Sequence, residues 1–325
     1  MRIGTSVDEA AEVLRAGGLV AIPTETVYGL AANALDPGAV VKIYEAKQRP
    51  SFNPLIVHTD RIEKLRVWVK EVPPLANALA EAFWPGPLTL LLPRRTLIPD
   101  IVTAGLTRVG VRIPNNPLTL ALLAQLDFPL AAPSANPFGY ISPTNATHVA
   151  DQLGDRVDYI LDGGKASVGI ESSIVGFDEE SEPTLYRLGG IAVEELEAIT
   201  GPLRRLTLSK NPQTSGMLKS HYAPRIDLHL GNLTALLQEY GTEKVAILAF
   251  REAVKNVPPQ YQRILSPSGS LAEAARNLFR VLRELDQLPV QRILAEEVPA
   301  EGLGLAINDR LQRARFEYRD ELPKK

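Results

Sequence analysis

Leu19-Val20-Ala21-Ile22-Pro23-Thr24-Glu25-Thr26-Val27-Tyr28-Gly29-Leu30 opens a run that continues through Asp36-Pro37 to Lys47-Gln48-Arg49-Pro50 and Asn53-Pro54-Leu55-Ile56-Val57-His58. Residues 19–22 follow Gly17-Gly18 as a short apolar stretch and read as a buried strand, ended by Pro23 because proline cannot donate to a ladder. Asp36 is placed to cap a helix with Pro37 in its first turn. Val40, Ile43 and Tyr44 share one face at helical spacing, and the helix is expected to stop near Ala46. Residues 55–57 read as a second strand, so the three elements predict a β-α-β unit. Thr24, Glu25, Thr26, Lys47, Arg49, Asn53 and His58 then converge on one edge, where ligands bind in open α/β sheets. Singly these residues have ordinary uses: cations after a helix offset its macrodipole, and a histidine closing an apolar strand is commonly structural. The set as a whole carries the argument.

Working outward, Pro73-Pro74 starts a helix carrying Leu75, Leu79 and Phe83, and Trp84-Pro85-Gly86-Pro87 breaks it at a rigid corner before a strand at 88–92. A strand at 109–114 is apolar except for Arg112. A helix at 118–126 leads to Leu130-Ala131-Ala132-Pro133-Ser134-Ala135-Asn136-Pro137, a small-residue strand end that lets a ligand approach backbone closely. Ser142-Pro143-Thr144 precedes a helix capped by Thr144 or Asn145 and closed by Gly154, and the amides of that turn are candidate anion donors. Strands near 159–161, 173–175 and 185–188 and a helix at 193–199 complete the first half. From Gly201-Pro202 the periodicity is lost, and the segment ends in His221-Tyr222-Ala223-Pro224. Strands at 227–230, 245–250, 263–265 and 292–295 follow, with helices at 233–240 and 271–285 and a last helix opened by Gly302-Leu303-Gly304. The expected architecture is α/β: a twisted mixed sheet with helices over 1–200, a linker or lid over 201–225, and a smaller Rossmann-like α/β domain over 226–325.

Composition narrows the chemistry. At 325 residues with 45% hydrophobic and 22% charged residues, two globular domains are the expectation. The absence of cysteine excludes disulfides and thiolate chemistry. A net charge of −3 gives no global pull toward nucleic acid or an anionic membrane. Ser6-Val7-Asp8-Glu9 opens a helix near the start, with no leader-like stretch or apolar run of about 20 residues, so a cytoplasmic protein is expected. There is no Gly-x-x-x-x-Gly-Lys-[Ser/Thr] loop, no His-Glu-x-x-His and no Gly-x-Ser-x-Gly, and Gly302-x-Gly304 lacks a third glycine. What remains is a set of anion-binding groups at strand ends: Lys47, Arg49, Arg108, Arg112, Lys165 and Arg187 among Ser134, Asn136, Ser142 and Ser172.

Pro-Thr-Glu-Thr-Val-Tyr-Gly-Leu at 23–30, Lys-x-Arg-Pro at 47–50, Asn-Pro-Leu-Ile-Val-His at 53–58 and Trp-Pro-Gly-Pro-Leu-Thr at 84–89 resemble the YrdC family, whose members make threonylcarbamoyl-AMP. His-Tyr-Ala-Pro at 221–224 and the run 302–310 resemble its longer, two-domain members. The resemblance implies that L-threonine, bicarbonate and ATP, with Mg²⁺, are condensed with release of pyrophosphate, and that a separate complex transfers the product to tRNA. It further implies threonine contacts from Thr26, His58, Arg112, Ala132 and Ser172, with Arg112 on the carboxylate. Nucleotide contacts are implied for Arg49, Asn53, Arg108, Ser134, Asn136, Ser142, Arg187 and Tyr222. Lys47 and Arg49 are assigned to the phosphate charge as the catalytic pair, no metal-ligating residues are implied, and His221-Tyr222 are expected to close over the cleft as a lid. The family pattern has threonine or serine where Arg108 stands, and threonine and aspartate where Ser173 and Gly176 stand. A noncatalytic RNA-binding module using the same cleft is the rival reading, disfavoured by the acidic balance and sparse aromatics, and stable nucleic-acid binding is not expected. A carbamoyl-adenylate former of the hydrogenase-maturation type would need a cysteine-rich zinc module and an acylphosphatase domain, which the chain lacks.

Overall fold

The computed structural model describes all residues except Phe52, Glu179, 207–213, 215–220 and 316–325, so the expected linker and lid over 201–225 fall largely outside the described residues. Two compact units divide the chain. One comprises Met1–Phe138, Pro143–Ser167 and Glu171–Leu218; the other comprises Gly139–Ser142, Val168–Ile170 and Lys219–Lys325. No described helix is long and apolar enough to cross a membrane.

The first unit contains strands β1 (Arg2–Gly4), β2 (Val20–Ile22), β3 (Gly29–Asn33), β4 (Ile56–His58), β5 (Leu88–Pro93), β6 (Arg108–Arg112), β7 (Leu130–Ala131), β8 (Tyr159–Leu161), β9 (Ser173–Phe177), β10 (Pro183–Arg187) and β11 (Arg204–Arg205). Its helices are α1 (Val7–Arg15), α2 (Pro37–Lys47), α3 (Leu65–Trp68), α4 (Pro74–Phe83), α5 (Asp100–Thr103), α6 (Pro117–Gln125), α7 (Ala146–Leu153) and α8 (Val193–Thr200). The strands form one mixed sheet in the order β1-β8-β2-β3-β7-β4-β6-β5-β9-β10-β11. Helix α2 begins as its sequence requires, with the Asp36 carboxylate accepting from the Gly38 amide at 2.9 Å and Pro37 in the first turn. It ends at Gln48, whose φ of 52° stops the helix.

The structure corrects the β-α-β expectation. β2 pairs antiparallel with β3 (Val20 opposite Ala31, Ile22 opposite Gly29), and β7 lies between β3 and β4, antiparallel to both. β2 and β4 therefore run in opposite directions, and α2 crosses over from β3 to β4. The cause is the turn at 24–28. The Thr24 hydroxyl accepts from the Thr26 and Val27 amides, each at 3.2 Å, and donates to the Val27 carbonyl at 2.6 Å, so the chain reverses where a strand simply ending was expected.

The second unit holds β12 (Asp227–Leu230), β13 (Val245–Ala249), β14 (Gln262–Ile264) and β15 (Arg292–Ala295), all parallel in the order β12-β15-β13-β14, with α9 (Leu233–Tyr240), α10 (Leu271–Leu285) and α11 (Gly304–Ala314). This is the smaller Rossmann-like domain expected. Ser270 caps α10, which buries Ala274, Ala275, Leu278, Leu282 and Leu285, the face predicted from spacing. The segment Val168–Ile170 lies directly on α10: a Cβ at Gly169, whose φ is +83°, would stand 2.7 Å from the Arg276 carbonyl oxygen. The run 302–310 is framework here. Asn308 clamps both the amide (2.9 Å) and the carbonyl (2.8 Å) of Val298, and Asp309 holds Arg310 at 3.1 Å and Arg313 at 2.9 Å.

Candidate active site

In the first unit the ends of β4, β6 and β7, the β2–β3 turn and the entry to β9 meet. His58 and Arg112 are register partners at the ends of parallel β4 and β6, and the Ala132 amide donates to the Ile56 carbonyl at 2.9 Å. Thr26 is fully buried, with its hydroxyl 2.8 Å from that of Thr24. Arg112 donates through Nε to the Gly86 carbonyl at 3.2 Å and through Nη2 reaches Glu25 Oε1 at 2.7 Å, both side chains being 5% exposed. Glu25, read from sequence as a member of the converging set without a partner, is the counterion of Arg112. Ser172 is positioned by its neighbours: Thr89 shares a hydroxyl contact at 2.8 Å, and Arg187 donates to its carbonyl and its hydroxyl, each at 2.9 Å.

Gly189 makes that arrangement sterically feasible, since a Cβ there would run into the backbone of Ser172 and Ser173. The two family departures on this strand are also absorbed by packing. The Ser173 hydroxyl bridges Ile191, donating to its carbonyl at 3.0 Å and accepting from its amide at 3.2 Å. A Cβ at Gly176 would stand 2.8 Å from the Tyr186 ring.

The cationic side of the site is built on the end of α2. Lys47 is 1% exposed and donates to the Ser134 carbonyl at 2.5 Å and to the Asn136 carbonyl. Burial first, and then repulsion from Arg49 and Arg156, hold its ammonium well below the usual lysine value, and no carboxylate among the described residues pairs with it. Arg49 donates to the Asn53 carbonyl and the Pro54 carbonyl, each at 3.1 Å, and lies over the Phe138 ring at 5.6 Å. The Asn53 side chain is fully buried with neither amide end hydrogen-bonded among the described residues, a state that costs about 1–3 kcal/mol per unpaired group unless a ligand completes it. Ser134 lies between the two halves. Its carbonyl holds Lys47, its backbone bridges to Gly29, and its half-buried hydroxyl makes no hydrogen bond with a described residue.

One anticipated residue does not join this cluster. Arg108 is half-buried at the start of β6, four residues and about 13 Å of strand rise from Arg112. Ser142 and Tyr222 belong to the second unit. Arg283 donates to the Ser142 carbonyl at 3.3 Å, and Tyr222, at φ 65°, is 1% exposed beside Phe279 (5.3 Å) and Arg310 (5.6 Å). The anion-receiving turn at 142–144 is partly spent, because the Thr144 amide donates to His148 Nδ1 at 3.2 Å. Arg156 went unread in the sequence. It donates to the Ala46 carbonyl at 2.9 Å and the Gln152 carbonyl at 2.6 Å, and its position after a helix was the only signal of that role.

His58 supports a test by pH. Burial, and after it the Arg112 guanidinium, hold its imidazole down at about 3, against smaller opposition from the Ile56 and Leu130 backbone, and Nδ1 has no hydrogen-bond partner among the described residues. The unfolded chain takes up this proton near about 6.5. Between these values the unfolded state binds more protons, so His58 lowers stability as pH falls, by up to about 1.4 kcal/mol per pH unit. His58→Gln should therefore flatten the urea-unfolding stability profile between about pH 4 and 6.5. Parallel profiles for the two proteins would mean that the imidazole titrates normally.

A family model described as "Telomere recombination" (Sua5_yciO_yrdC) matches residues 12–189, and one described as "Threonylcarbamoyl-AMP synthase, C-terminal domain" matches residues 191–315. The chain is 42% identical over 322 residues to the threonylcarbamoyl-AMP synthase of Pyrococcus abyssi, covering 94% of this chain and 92% of that one. It is 41% identical over 320 residues to that of Bacillus subtilis, covering 95% and 92%. A crystal structure of P. abyssi Sua5 complexed with L-threonine superposes with a TM-score of 0.88 at 39% identity, covering 95% of this chain and 94% of that chain.

Proposed function

The chain belongs to the Sua5–YciO–YrdC family, in the two-domain form with a threonylcarbamoyl-AMP synthase C-terminal domain, and from that membership we propose that it condenses L-threonine, bicarbonate and ATP into threonylcarbamoyl-AMP, pyrophosphate and water. The threonine amine and bicarbonate form a carbamate with loss of water. A carbamate oxygen then bonds to the α-phosphorus as the bond to pyrophosphate breaks. A separate transferase complex consumes the product in modifying tRNA. Positioning and charge neutralisation dominate such a displacement.

The observation that carries the nucleotide assignment is the buried Lys47 side chain, whose partners among the described residues are two carbonyls and no carboxylate, together with the Asn53 amide, which is unpaired among the same residues. A polyanion entering there relieves both. Lys47, Arg49 and Ser134 face the phosphates, with Asn53, Asn136 and Arg187 completing the nucleotide side, while Thr26, His58, Arg112, Ala132 and Ser172 hold threonine. Neutral His58 leaves Arg112 as the charged group available to the threonine carboxylate. Mg²⁺ enters with ATP as the Mg·ATP substrate, held by phosphate oxygens and waters.

Pyrophosphate release from Mg·ATP, with threonine and bicarbonate omitted one at a time, tests the reading. Release is expected only with both present. Release independent of both, or none with both, overturns it.

A further inference from the structure

Glu25 sits between the two threonines of the β2–β3 turn, yet its carboxylate points away from solvent and is held at both oxygens. Oε1 meets Arg112 Nη2 at 2.7 Å, and Oε2 accepts from the Asn115 amide at 2.9 Å. Asn115 lies just beyond β6, three residues after Arg112. The guanidinium is thus tied at two of its nitrogens, Nε to the Gly86 carbonyl and Nη2 to Glu25, and Glu25 is itself tied to the backbone that follows the arginine's own strand.

A guanidinium has five N–H groups in a planar fork. The Gly86 carbonyl takes the Nε hydrogen, Glu25 Oε1 stands beside Nη2 as an ion pair that makes no hydrogen bond along its N–H groups, and Nη1 has no hydrogen bond or ion pair to any described residue. The edge left for a ligand is the outer one, made by Nη1 and Nη2. That edge presents two parallel donors, the arrangement a carboxylate accepts in bidentate fashion. We infer that Glu25 is the positioning residue that makes Arg112 a carboxylate receptor: it fixes the guanidinium so that only this outer edge is offered, and it keeps the empty, buried site electrically compensated. The inference rests on the reading that the site takes L-threonine.

Glu25→Gln is nearly isosteric and separates positioning from packing. The Asn115 amide needs an acceptor, so the new carboxamide oxygen turns to it and the NH₂ faces Arg112, donor against donor. The arginine loses its fixed orientation while the surrounding volume is unchanged. The discriminating readout is the ratio of affinities for L-threonine and L-threoninol, which lacks the carboxylate, measured by calorimetry on the full chain. The wild type should prefer threonine by at least tenfold. Glu25→Gln should bring the ratio below about threefold with threoninol affinity retained, and Glu25→Asp, which keeps the charge but falls short of Nη2, should give an intermediate ratio.

A merely structural role for Glu25 lowers both affinities together and leaves the ratio alone, and that result overturns the inference. Where Glu25→Gln fails to fold, an Asp variant with an unchanged ratio overturns it equally. A wild type that binds neither compound takes down the threonine reading and this inference with it. A wild type that prefers threonine, with an unchanged ratio in the variants, removes the inference alone.

Discussion

Replacing Lys47 by methionine should cut pyrophosphate release by about 10²–10³-fold, the usual cost of removing one preorganised charge-stabilising donor, with threonine affinity changed less than about twofold. The ammonium is buried, pairs with no carboxylate among the described residues, and is already disfavoured by Arg49 and Arg156. Two carbonyls, those of Ser134 and Asn136, are its partners. Such a charge is costly to keep in the empty protein and becomes favourable when phosphate oxygens arrive. Methionine retains the length of the stem and removes the charge, relieving the desolvation cost as the two carbonyls lose their donor, so the melting temperature should move little. The proposed threonine contacts, His58 and Arg112, are fixed from β4 and β6 and do not depend on this lysine. Calorimetric titration with threonine together with a pyrophosphate assay checks both halves. Parallel loss of threonine binding, or more than a tenth of wild-type turnover, would reassign Lys47 to holding the 134–136 loop alone.

Much of this was legible because it depends on near neighbours in sequence. Asp36-Pro37 announces α2, the apolar stripe of α10 stands out by period, and β13 stands out as a short continuous apolar run. What was not legible is long-range. Gly29-Leu30-Ala31-Ala32-Asn33 has weak strand propensity and becomes β3 only because β2 and β7 flank it. β7 is two residues long and sets the direction of β4. In the site, the residue types were readable at strand ends, but their partners were not. Glu25 and Arg112 are brought together by the turn at Thr24, and Lys47 finds carbonyls from a segment beyond β7. Pairings of this kind carry no local signature, so the sequence shows which side chains are unusual and leaves open what each one faces.

Asp286→Ala should destabilise the second unit by about 3–5 kcal/mol, as breaking a buried charge network does. The carboxylate caps the segment after the linker onto the end of α10. It accepts from the Arg225 amide at 2.7 Å, the Ile226 amide at 3.0 Å, Arg225 Nε at 3.1 Å and the Tyr140 hydroxyl at 2.5 Å, with its own side chain 0% exposed. Alanine strands two backbone amides and a phenol at once. The contributions separate by variant. Arg225 is 72% exposed, so Arg225→Met removes a screened ion pair worth at most about 1 kcal/mol, and Tyr140→Phe removes one hydrogen bond worth about 1 kcal/mol. The ranking Asp286→Ala far above the other two, read by urea unfolding, identifies the buried amides as the main term. Equal losses for Asp286→Ala and Arg225→Met would place the stabilisation in the ion pair instead. The same cap fixes where the chain leaves Tyr222, which sits against Phe279 of α10.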